Sequence, residues 1–321
     1  MLIYYFKGFN VKKVVVTGPT SMIGLATIKE CVKNGVSVLA IVRENTSRLD
    51  RLPKSDLIKI IYCNIDKLDS IDTKVLDSDY DVFYHFAWGH TAKAERDNPL
   101  MQEQNIRYTL DAVKLASELG CRKFVGAGSQ AEYGICEDVR TENTPENPLT
   151  SYGISKFSAK MLSKRMCDQL GMIHVWGRIF SVYGPHDNEG TMLNYGIDCF
   201  IKGEVANFSS ATQMWNYLYE DDAGSMFYLL GEKNIESGVY CVAGKDSEVL
   251  RKYIECMRDE FGSDAICEFA PINPSVKNLG LEVKIDKIVN ATGFLPKVNF
   301  KEGIKKMIEY RKNLVKKYIR G

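Results

Sequence analysis

The feature that most constrains the fold is a regular alternation of two apolar patterns that begins at Val11. Short runs rich in Val, Ile and Phe with few charges are typical of strands buried on both faces of a sheet. Between them lie longer stretches in which apolar residues recur every three or four positions, as in helices packed on a sheet. We therefore predict an α/β protein with a doubly wound parallel sheet. The expected strands are 11–16, 36–42, 58–62, 81–86, 123–126 and 173–180, and the expected helices are 21–34, 99–119 and 152–170.

The same pattern divides the chain into two unequal parts. Residues 1–180 hold the six expected strands and have the size of a dinucleotide-binding Rossmann domain. After the Val-Tyr-Gly-Pro sequence at 182–185 the regularity drops, so we expect residues 181–321 to form mainly a smaller, substrate-binding lobe. A buried strand expected at 238–243 would return to the sheet, which makes this C-terminal lobe discontinuous. We interpret the lysine-rich stretch 301–320 as a docked terminal helix with a solvated face.

Charge and cysteine content exclude several classes of partner. The chain has 42 basic and 41 acidic residues and a formal charge of +1, so no global field favours nucleic acid or anionic lipid. No run of 18 apolar residues occurs, and we expect neither a membrane span nor a membrane partner. Nine cysteines, an odd number without a C-x-x-C pair, predict neither a disulfide framework nor a metal site. We therefore expect a cytoplasmic protein.

A glycine-containing loop follows the first expected strand and precedes a helix. Gly18 allows a tight turn, Gly24 permits close packing of the helix on the strand, and Ser21 stands where a middle glycine is usual. The free amides at the start of the helix favour a pyrophosphate. This order of strand, loop and helix predicts a dinucleotide site. Its candidate residues are Gly18, Thr20, Ser21, Met22, Ile23 and Gly24.

The end of the second strand bears on the choice of cofactor. An NAD-selective site normally has an acidic residue here, which accepts hydrogen bonds from both ribose hydroxyls. Arg43 stands in this place and can bind a 2′-phosphate instead, with Ser47 and Arg48 nearby. We therefore favour NADP(H). NAD(H) stays possible, because Glu44 is adjacent and Arg43 could simply stack on the adenine.

Three residues predict proton transfer at the carboxyl edge of the sheet. Tyr152 and Lys156 are four residues apart on one expected helix, and Ser129 follows the fifth strand. A neighbouring ammonium and the cofactor's positive charge favour the phenolate, so Tyr152 becomes a usable proton carrier. In this interpretation Ser129 bonds the substrate oxygen, and Lys156 tunes Tyr152 and holds a ribose. The alternative for Ser129 is a simple turn cap.

Together these residues resemble the extended short-chain dehydrogenase/reductase family of sugar-nucleotide epimerases, dehydratases and reductases. The resemblance extends to the His-Phe-Ala-Trp sequence at 85–88, to Asn105, to Arg178 with 182–185, and to the Tyr-Leu-Tyr-Glu-Asp-Asp sequence at 217–222. It implies a nucleotide-sugar substrate, a structural role for the histidine at 85, and a homodimer formed through helices 99–119 and 152–170. The further cofactor candidates are Asn64, Ile65, Phe86, Ala87, Trp88 and Phe180.

Departures from the family pattern narrow the reaction. Dehydratases of this family carry an Asp-Glu pair after the residue that matches Ser129, whereas this chain has Gln130 and Ala131. Neither side chain can exchange a proton usefully, so dehydration is disfavoured. Ser181 replaces a usual Asn and Trp215 a usual Arg, which implies a differently arranged diphosphate site.

A finer resemblance comes from the Ala-Trp pair at 87–88 and from the segments 128–134 and 215–219. Together they resemble the branch that reduces dTDP-4-keto-6-deoxyglucose and related sugars. The aromatic surfaces of Trp88 and Trp215 suit a sugar face, although either could equally be a core residue. Gln130 could bond sugar hydroxyls. The candidate substrate-binding residues are therefore Trp88, Gln130, Ser181 and Trp215.

Three functions fit this pattern. The favoured one is an NADPH-dependent 4-ketoreductase of a nucleotide-linked 4-keto-6-deoxy sugar, with Tyr152 as the proton donor. In the alternative, an NAD-dependent sugar-nucleotide 4-epimerase similar to UDP-glucose 4-epimerase oxidises and re-reduces the same carbon. The third is a nucleotide-sensing or interaction protein that keeps the fold without turnover.

Overall fold

A computed structural model describes residues 10–272 and 280–320 of the chain. Its central sheet contains seven parallel strands in the order β10–β6–β5–β4–β1–β2–β3, which confirms the predicted α/β fold with a doubly wound sheet. The strand expected at 238–243 returns to the sheet beside β6. The strands of this sheet are β1 Lys13–Thr17, β2 Ser37–Val42, β3 Ile58–Tyr62, β4 Val82–His85, β5 Lys123–Ser129, β6 Ile173–Ile179 and β10 Gly238–Val242.

Helices cover both faces of this sheet, and the strand sequences show why. Val14 and Val16 belong to one apolar cluster and Val15 to another, because successive side chains of a strand point to opposite faces. One face packs against α1 and α5, and the other packs against α2 and α3. These helices are α1 Met22–Lys33, α2 Pro99–Glu118, α3 Ser151–Gln169 and α5 Glu220–Glu232.

The remaining elements form two small sheets and a second apolar core, except for α7, whose apolar residues join the core beside β10. One sheet has the order β11–β9–β7, the other pairs β12 with β8, and α4, α6 and α8 enclose the core. Ile304, Met307 and Ile308 of α8 are buried, as predicted for a docked terminal helix. The elements are β7 Ser181–Tyr183, α4 Met192–Lys202, β8 Ala206–Phe208, β9 Met214–Tyr219, β11 Ser247–Val249, α6 Leu250–Asp259, β12 Cys267–Phe269, α7 Asp286–Thr292 and α8 Phe300–Arg320.

Strand β5 is three residues longer than predicted, and the difference matters for the site. The prediction ended it at Gly126, although two glycines, Gly126 and Gly128, lie in the observed strand, where glycine usually weakens a strand. In the structure the indole of Trp176, on neighbouring β6, lies across this part of the strand. A Cβ atom at Gly126 would come within 2.3 Å of that ring, and one at Gly128 within 2.2 Å. The small residues make room for Trp176, and the strand continues to Ser129.

Candidate active site

The site lies where the strand order reverses, between β1 and β4. Ligands of open parallel sheets bind in the crevice at this switch point, outside the carboxyl ends of the strands. The loops after the two strands touch: a Cβ atom at Gly18, which has a φ of +67°, would lie 2.7 Å from the amide nitrogen of Ala87. His85 at the end of β4 bonds Thr17 through Nδ1 at 2.9 Å. Burial lowers the pKa of His85 to about 3, so it is a neutral, structural residue.

Ser21 closes the glycine-containing loop. Its hydroxyl donates to the carbonyl of Gly18 at 2.7 Å and accepts from the amide of Gly24 at 3.2 Å, which makes it the N-cap of α1. A serine can therefore stand in the place of the usual glycine, because it satisfies an end of the helix. Met22 and Ile23 follow in the first turn, where helix amides have no partner within the helix. This arrangement suits a pyrophosphate.

Three arginines gather at the carboxyl end of β2. Arg43 is exposed directly after the strand. Partial burial and the charges of Arg51 and Arg43 lower the pKa of Arg48, so the three guanidinium groups lie near one another. One terminal nitrogen of Arg51 is buried and has no hydrogen-bond partner within the described residues. Sequence reasoning missed Arg51, which could have been found by counting the cations that follow this strand.

The acidic residue beside this cluster is engaged elsewhere. The amide of Glu44 donates to the side chain of Asn64 at 3.2 Å, and the side-chain amide of Asn64 donates to the Glu44 carboxylate at 3.3 Å. Asn64 and Ile65 therefore lie next to the end of β2, where the sequence analysis expected a cofactor contact. The carboxylate of Glu44 is directed to the end of β3. The positive charges of Arg43, Arg48 and Arg51 therefore lie beside a carboxylate that is already hydrogen-bonded to Asn64.

Ser129, Tyr152 and Lys156 come together at the carboxyl end of β5. Ser129 is the last residue of that strand, and Tyr152 lies in the first turn of α3, where the Ser129 side chain acts to lower the pKa of its phenol. The ammonium of Lys156 is buried and donates to the carbonyl of Ala127 at 2.7 Å. Burial lowers the pKa of Lys156 to about 7, although the charge of Glu132 opposes the shift. The arrangement can pass a proton between Tyr152 and an oxygen held by Ser129.

The environment of Tyr152 differs from the expectation in one respect. The sequence analysis assigned its tuning to Lys156, whose Nζ atom lies 5.9 Å from the centroid of the Tyr152 ring and 3.6 Å from the Trp88 ring. The guanidinium of Arg96 lies closer, at 4.2 Å from the Tyr152 ring centroid. Burial raises the pKa of Tyr152, and Arg96 and the Ser129 side chain oppose that rise. Sequence reasoning missed Arg96.

The remaining cofactor candidates directly follow the strands β4 and β6. Trp88 is half-buried, meets Tyr152 edge to face with 6.0 Å between ring centroids, and donates to Gln102 at 3.0 Å. Phe86 packs against a helix residue, Phe227. Phe180 is buried beside Tyr133 and is anchored by its amide to the strand β10.

The substrate candidates are less closely grouped. Gln130 is half-buried in the turn directly after Ser129. Ser129 also caps that turn, as its alternative role predicted, because its hydroxyl accepts from the Ala131 amide at 3.2 Å. Ser181 begins β7 and is paired in register with Tyr217 of β9. Trp215 is half-buried on β9 and packs against the apolar clusters of both lobes. Its indole nitrogen is buried without a hydrogen-bond partner in the described part of the chain.

A buried ionic network supports Ser129 from behind. One oxygen of Glu132 accepts from the Ser129 amide at 2.7 Å and from Trp176 at 3.0 Å. The other accepts from Arg178 at 2.8 Å, and Arg178 also pairs with Glu146. The resemblance named Arg178, but nothing in the sequence pattern predicted that Glu132 would be its partner.

Two further properties complete the description of the site. Within residues 10–272 and 280–320, no three His, Cys, Asp or Glu side chains are grouped as a metal site. In the same part of the chain, no helix is long and apolar enough to cross a membrane.

The sequence of the chain is similar to those of known proteins. The model of the NAD dependent epimerase/dehydratase family matches residues 14–243. UDP-glucuronate 4-epimerase from Thermodesulfobacterium geofontis is 25% identical over 315 residues, which cover 93% of this chain and 95% of that protein.

Two solved structures share the fold. UDP-N-acetylglucosamine 4-epimerase from Methanobrevibacter ruminantium, in complex with UDP-N-acetylmuramic acid, has a TM-score of 0.83 at 21% identity, covering 95% of this chain and 99% of that one. UDP-glucuronic acid 4-epimerase from Bacillus cereus, in complex with NAD, has a TM-score of 0.80 at 20% identity, with 94% and 99% covered. This chain therefore shares its Rossmann-like sheet and flanking helices with these two solved structures.

Proposed function

The chain belongs to the NAD dependent epimerase/dehydratase family of extended short-chain dehydrogenases/reductases, and within that family we propose that it is a sugar-nucleotide 4-epimerase. The carrying observation is the convergence of Ser129, Tyr152 and Lys156 beside the dinucleotide crevice. The relatives described above, which are themselves named as 4-epimerases, support this choice over the 4-ketoreductase favoured from sequence. Such an enzyme is an isomerase overall, although each half of its reaction is a redox step.

The proposed chemistry assigns a task to each of these residues. When bound, the nicotinamide cofactor supplies the acceptor and then the donor of the hydride. Tyr152 takes the proton of the sugar hydroxyl during oxidation and returns it during reduction. Ser129 hydrogen-bonds the same oxygen. Lys156 has three donors, of which one is used by the carbonyl of Ala127, so the others can hold a ribose hydroxyl.

Gln130 and Ala131 support epimerisation over dehydration. Loss of water from the sugar would need an acid to protonate the departing hydroxyl and a base to take the neighbouring proton. The half-buried amide of Gln130 and the methyl group of Ala131 supply neither group. Hydride transfer at one carbon, with its proton handled by Tyr152, is the chemistry that these side chains support.

The test is to measure turnover without added cofactor. The purified protein is denatured to release bound nucleotide, which is identified as NAD or NADP, and the native protein is incubated with UDP-hexoses and UDP-hexuronates. We expect interconversion of the two 4-epimers by the wild type and none by Tyr152→Phe. If Tyr152→Phe kept full turnover, the proposed mechanism would be wrong.

The arginine cluster favours a second candidate, an NADPH-dependent reductase of a 4-keto-6-deoxy sugar nucleotide. Arg43, Arg48 and the unpartnered nitrogen of Arg51 suit the 2′-phosphate of NADP(H). A reductase would consume added NADPH in proportion to its product, whereas an epimerase would not. Incubation with NADPH and a dTDP-4-keto-6-deoxy sugar, followed by mass analysis, separates the two. A nucleotide-binding protein without turnover would bind cofactor and convert neither substrate.

A further inference from the structure

The loop between β4 and α2, residues 86–98, is fixed at both ends. Near its start, the amide of Gly89 donates to the side chain of Asn105 at 2.6 Å. Near its middle, the side-chain amide of Gln102 donates to the carbonyls of His90, at 2.7 Å, and Glu95, at 3.3 Å. The loop therefore has a defined course, because two side chains of α2 bond its backbone.

The end of this loop is joined to the residue that precedes Tyr152. The carboxylate of Asp97 accepts from the Ser151 amide at 2.7 Å, and the carbonyl of Asp97 accepts from the Ser151 hydroxyl at 3.0 Å. Arg96 directly precedes Asp97 in the chain, and Tyr152 directly follows Ser151. Two hydrogen bonds therefore hold the loop and the first turn of α3 in register, and they place Arg96 on the face of the Tyr152 ring.

The acidic neighbours of Arg96 are engaged with other groups. Glu95 pairs with His90 at 3.6 Å, and Asp97 accepts from Ser151. Within the described residues, the structure records no ion pair for Arg96, whose side chain is exposed at the crevice. Its guanidinium carbon lies 4.2 Å from the ring centroid of Tyr152, within the range of a cation–π contact.

Three charged groups face Tyr152 from the elements packed around it. Arg96 comes from the loop, Glu132 from the turn after β5, and Lys156 from α3 itself. Lys156 is bonded to the carbonyl of Ala127 and lies against Trp88, and the carboxylate of Glu132 is paired with Arg178. Arg96 is thus the cation in direct contact with the phenol ring.

We propose that Arg96 is a positioning residue that acts through Tyr152, holding its ring and stabilising the phenolate that receives the sugar proton. This inference rests on the proposed function, because it gives Tyr152 the role of proton carrier. A cation against the ring stabilises the negative charge of the ionised phenol more than it stabilises the neutral ring, so it favours ionisation. The direction of the effect on the pKa of Tyr152, which Arg96 lowers, agrees with this role.

The experiment compares Arg96→Ala and Arg96→Lys with Lys93→Ala, which removes an exposed cation of the same loop. The pH profile of turnover is measured for each. Turnover should rise with pH as Tyr152 ionises, and in Arg96→Ala we expect the midpoint of this rise to move up by about one pH unit. At a pH below the midpoint, turnover of the variant should be about tenfold lower than that of the wild type, and it should recover at high pH. Arg96→Lys should restore part of the shift, and Lys93→Ala should leave the profile unchanged.

A second measurement does not depend on turnover. The ionisation of Tyr152 is followed by NMR in protein labelled with carbon-13 at the tyrosine Cζ atom, and the signal is assigned by its loss in Tyr152→Phe. We expect Arg96→Ala to raise the pKa of Tyr152 in this titration. An unchanged titration, or a turnover loss that is equal at every pH or confined to KM, would overturn the proposal. Full activity of Tyr152→Phe would instead refute the proposed function.

Discussion

Glu132 and Arg178 form an ion pair directly behind Ser129, and neither side chain is exposed to solvent. Removing one member of such a pair leaves an uncompensated charge in the interior, which costs far more than the loss of an exposed pair. Arg178 also contacts Glu146, which in turn pairs with Lys160, so the charges of the network balance. The network stabilises the end of β5 and thereby the position of the proposed catalytic serine.

We predict that Arg178→Met destabilises the protein by about 3–5 kcal/mol, because it leaves the carboxylates of Glu132 and Glu146 without their shared partner. The free energy of unfolding is measured by urea denaturation. Lys54→Met is the control, since Lys54 is an exposed cation before β3 and far from the network in the chain, and we expect it to change stability by less than about 0.5 kcal/mol. Equal losses in the two variants would show that the network contributes no net stability.

How much of the structure the sequence predicts can be judged from particular residues. The alternation of apolar runs predicted the parallel sheet and the return of β10, because both follow from local periodicity. The proximity of Ser129 and Tyr152 follows from the same topology, since the end of β5 and the first turn of α3 lie close together in space although they are separated in the chain. The extension of β5 to Ser129 was missed, because it depends on Trp176, which is 47 positions later in the chain.

The missed residues share a physical reason. Glu132 and Arg96 lie in a turn and a loop, where no periodicity marks a residue's neighbours. Their roles depend on contacts with Arg178 and Tyr152 that are set by the packing of separate elements. A charged residue in a loop is usually solvated and has no fixed partner. Only the folded structure shows that Glu132 is buried and that the exposed guanidinium of Arg96 lies against the Tyr152 ring.

The arginine cluster yields a prediction about cofactor selectivity. We expect Arg43→Ala to weaken NADP(H) binding by about 10- to 100-fold and NAD(H) binding much less. Only NADP(H) has a 2′-phosphate, and in the variant this phosphate would lose a charged hydrogen bond. Dissociation constants are measured by calorimetry for both cofactors. Lys54→Ala, which removes an exposed cation before β3, is the control and should change neither constant. Equal weakening for both cofactors would place Arg43 against the adenine instead.

The helix α3 presents an apolar stripe that supports the expected homodimer. Ile154, Met161 and Leu162 are 47%, 53% and 48% exposed, and their spacing places them on one side of the helix. We predict that the wild type is a dimer and that Met161→Glu is a monomer, because a carboxylate would be buried at the interface. Sedimentation velocity measures both masses. Val75→Glu, at a position 75% exposed elsewhere, should remain dimeric; a monomeric wild type would refute the prediction.

The last prediction concerns acid stability and starts from His174. This ring is buried, bonds Ser163 at 2.8 Å and stacks on Trp176, and burial lowers its pKa from 6.5 to about 4. Between these values the unfolded chain binds a proton that the folded protein does not, so stability falls as the pH falls through this window. We expect His174 to contribute up to about 1.4 kcal/mol per pH unit to that fall. Urea unfolding of wild type and His174→Gln is measured from pH 6.5 to pH 4. The glutamine can keep the bond to Ser163 but takes up no proton. The free energy of unfolding of His174→Gln should therefore change with pH as if close to one proton fewer were taken up on unfolding. Parallel stability curves for the two proteins would show that His174 is not the buried neutral group responsible.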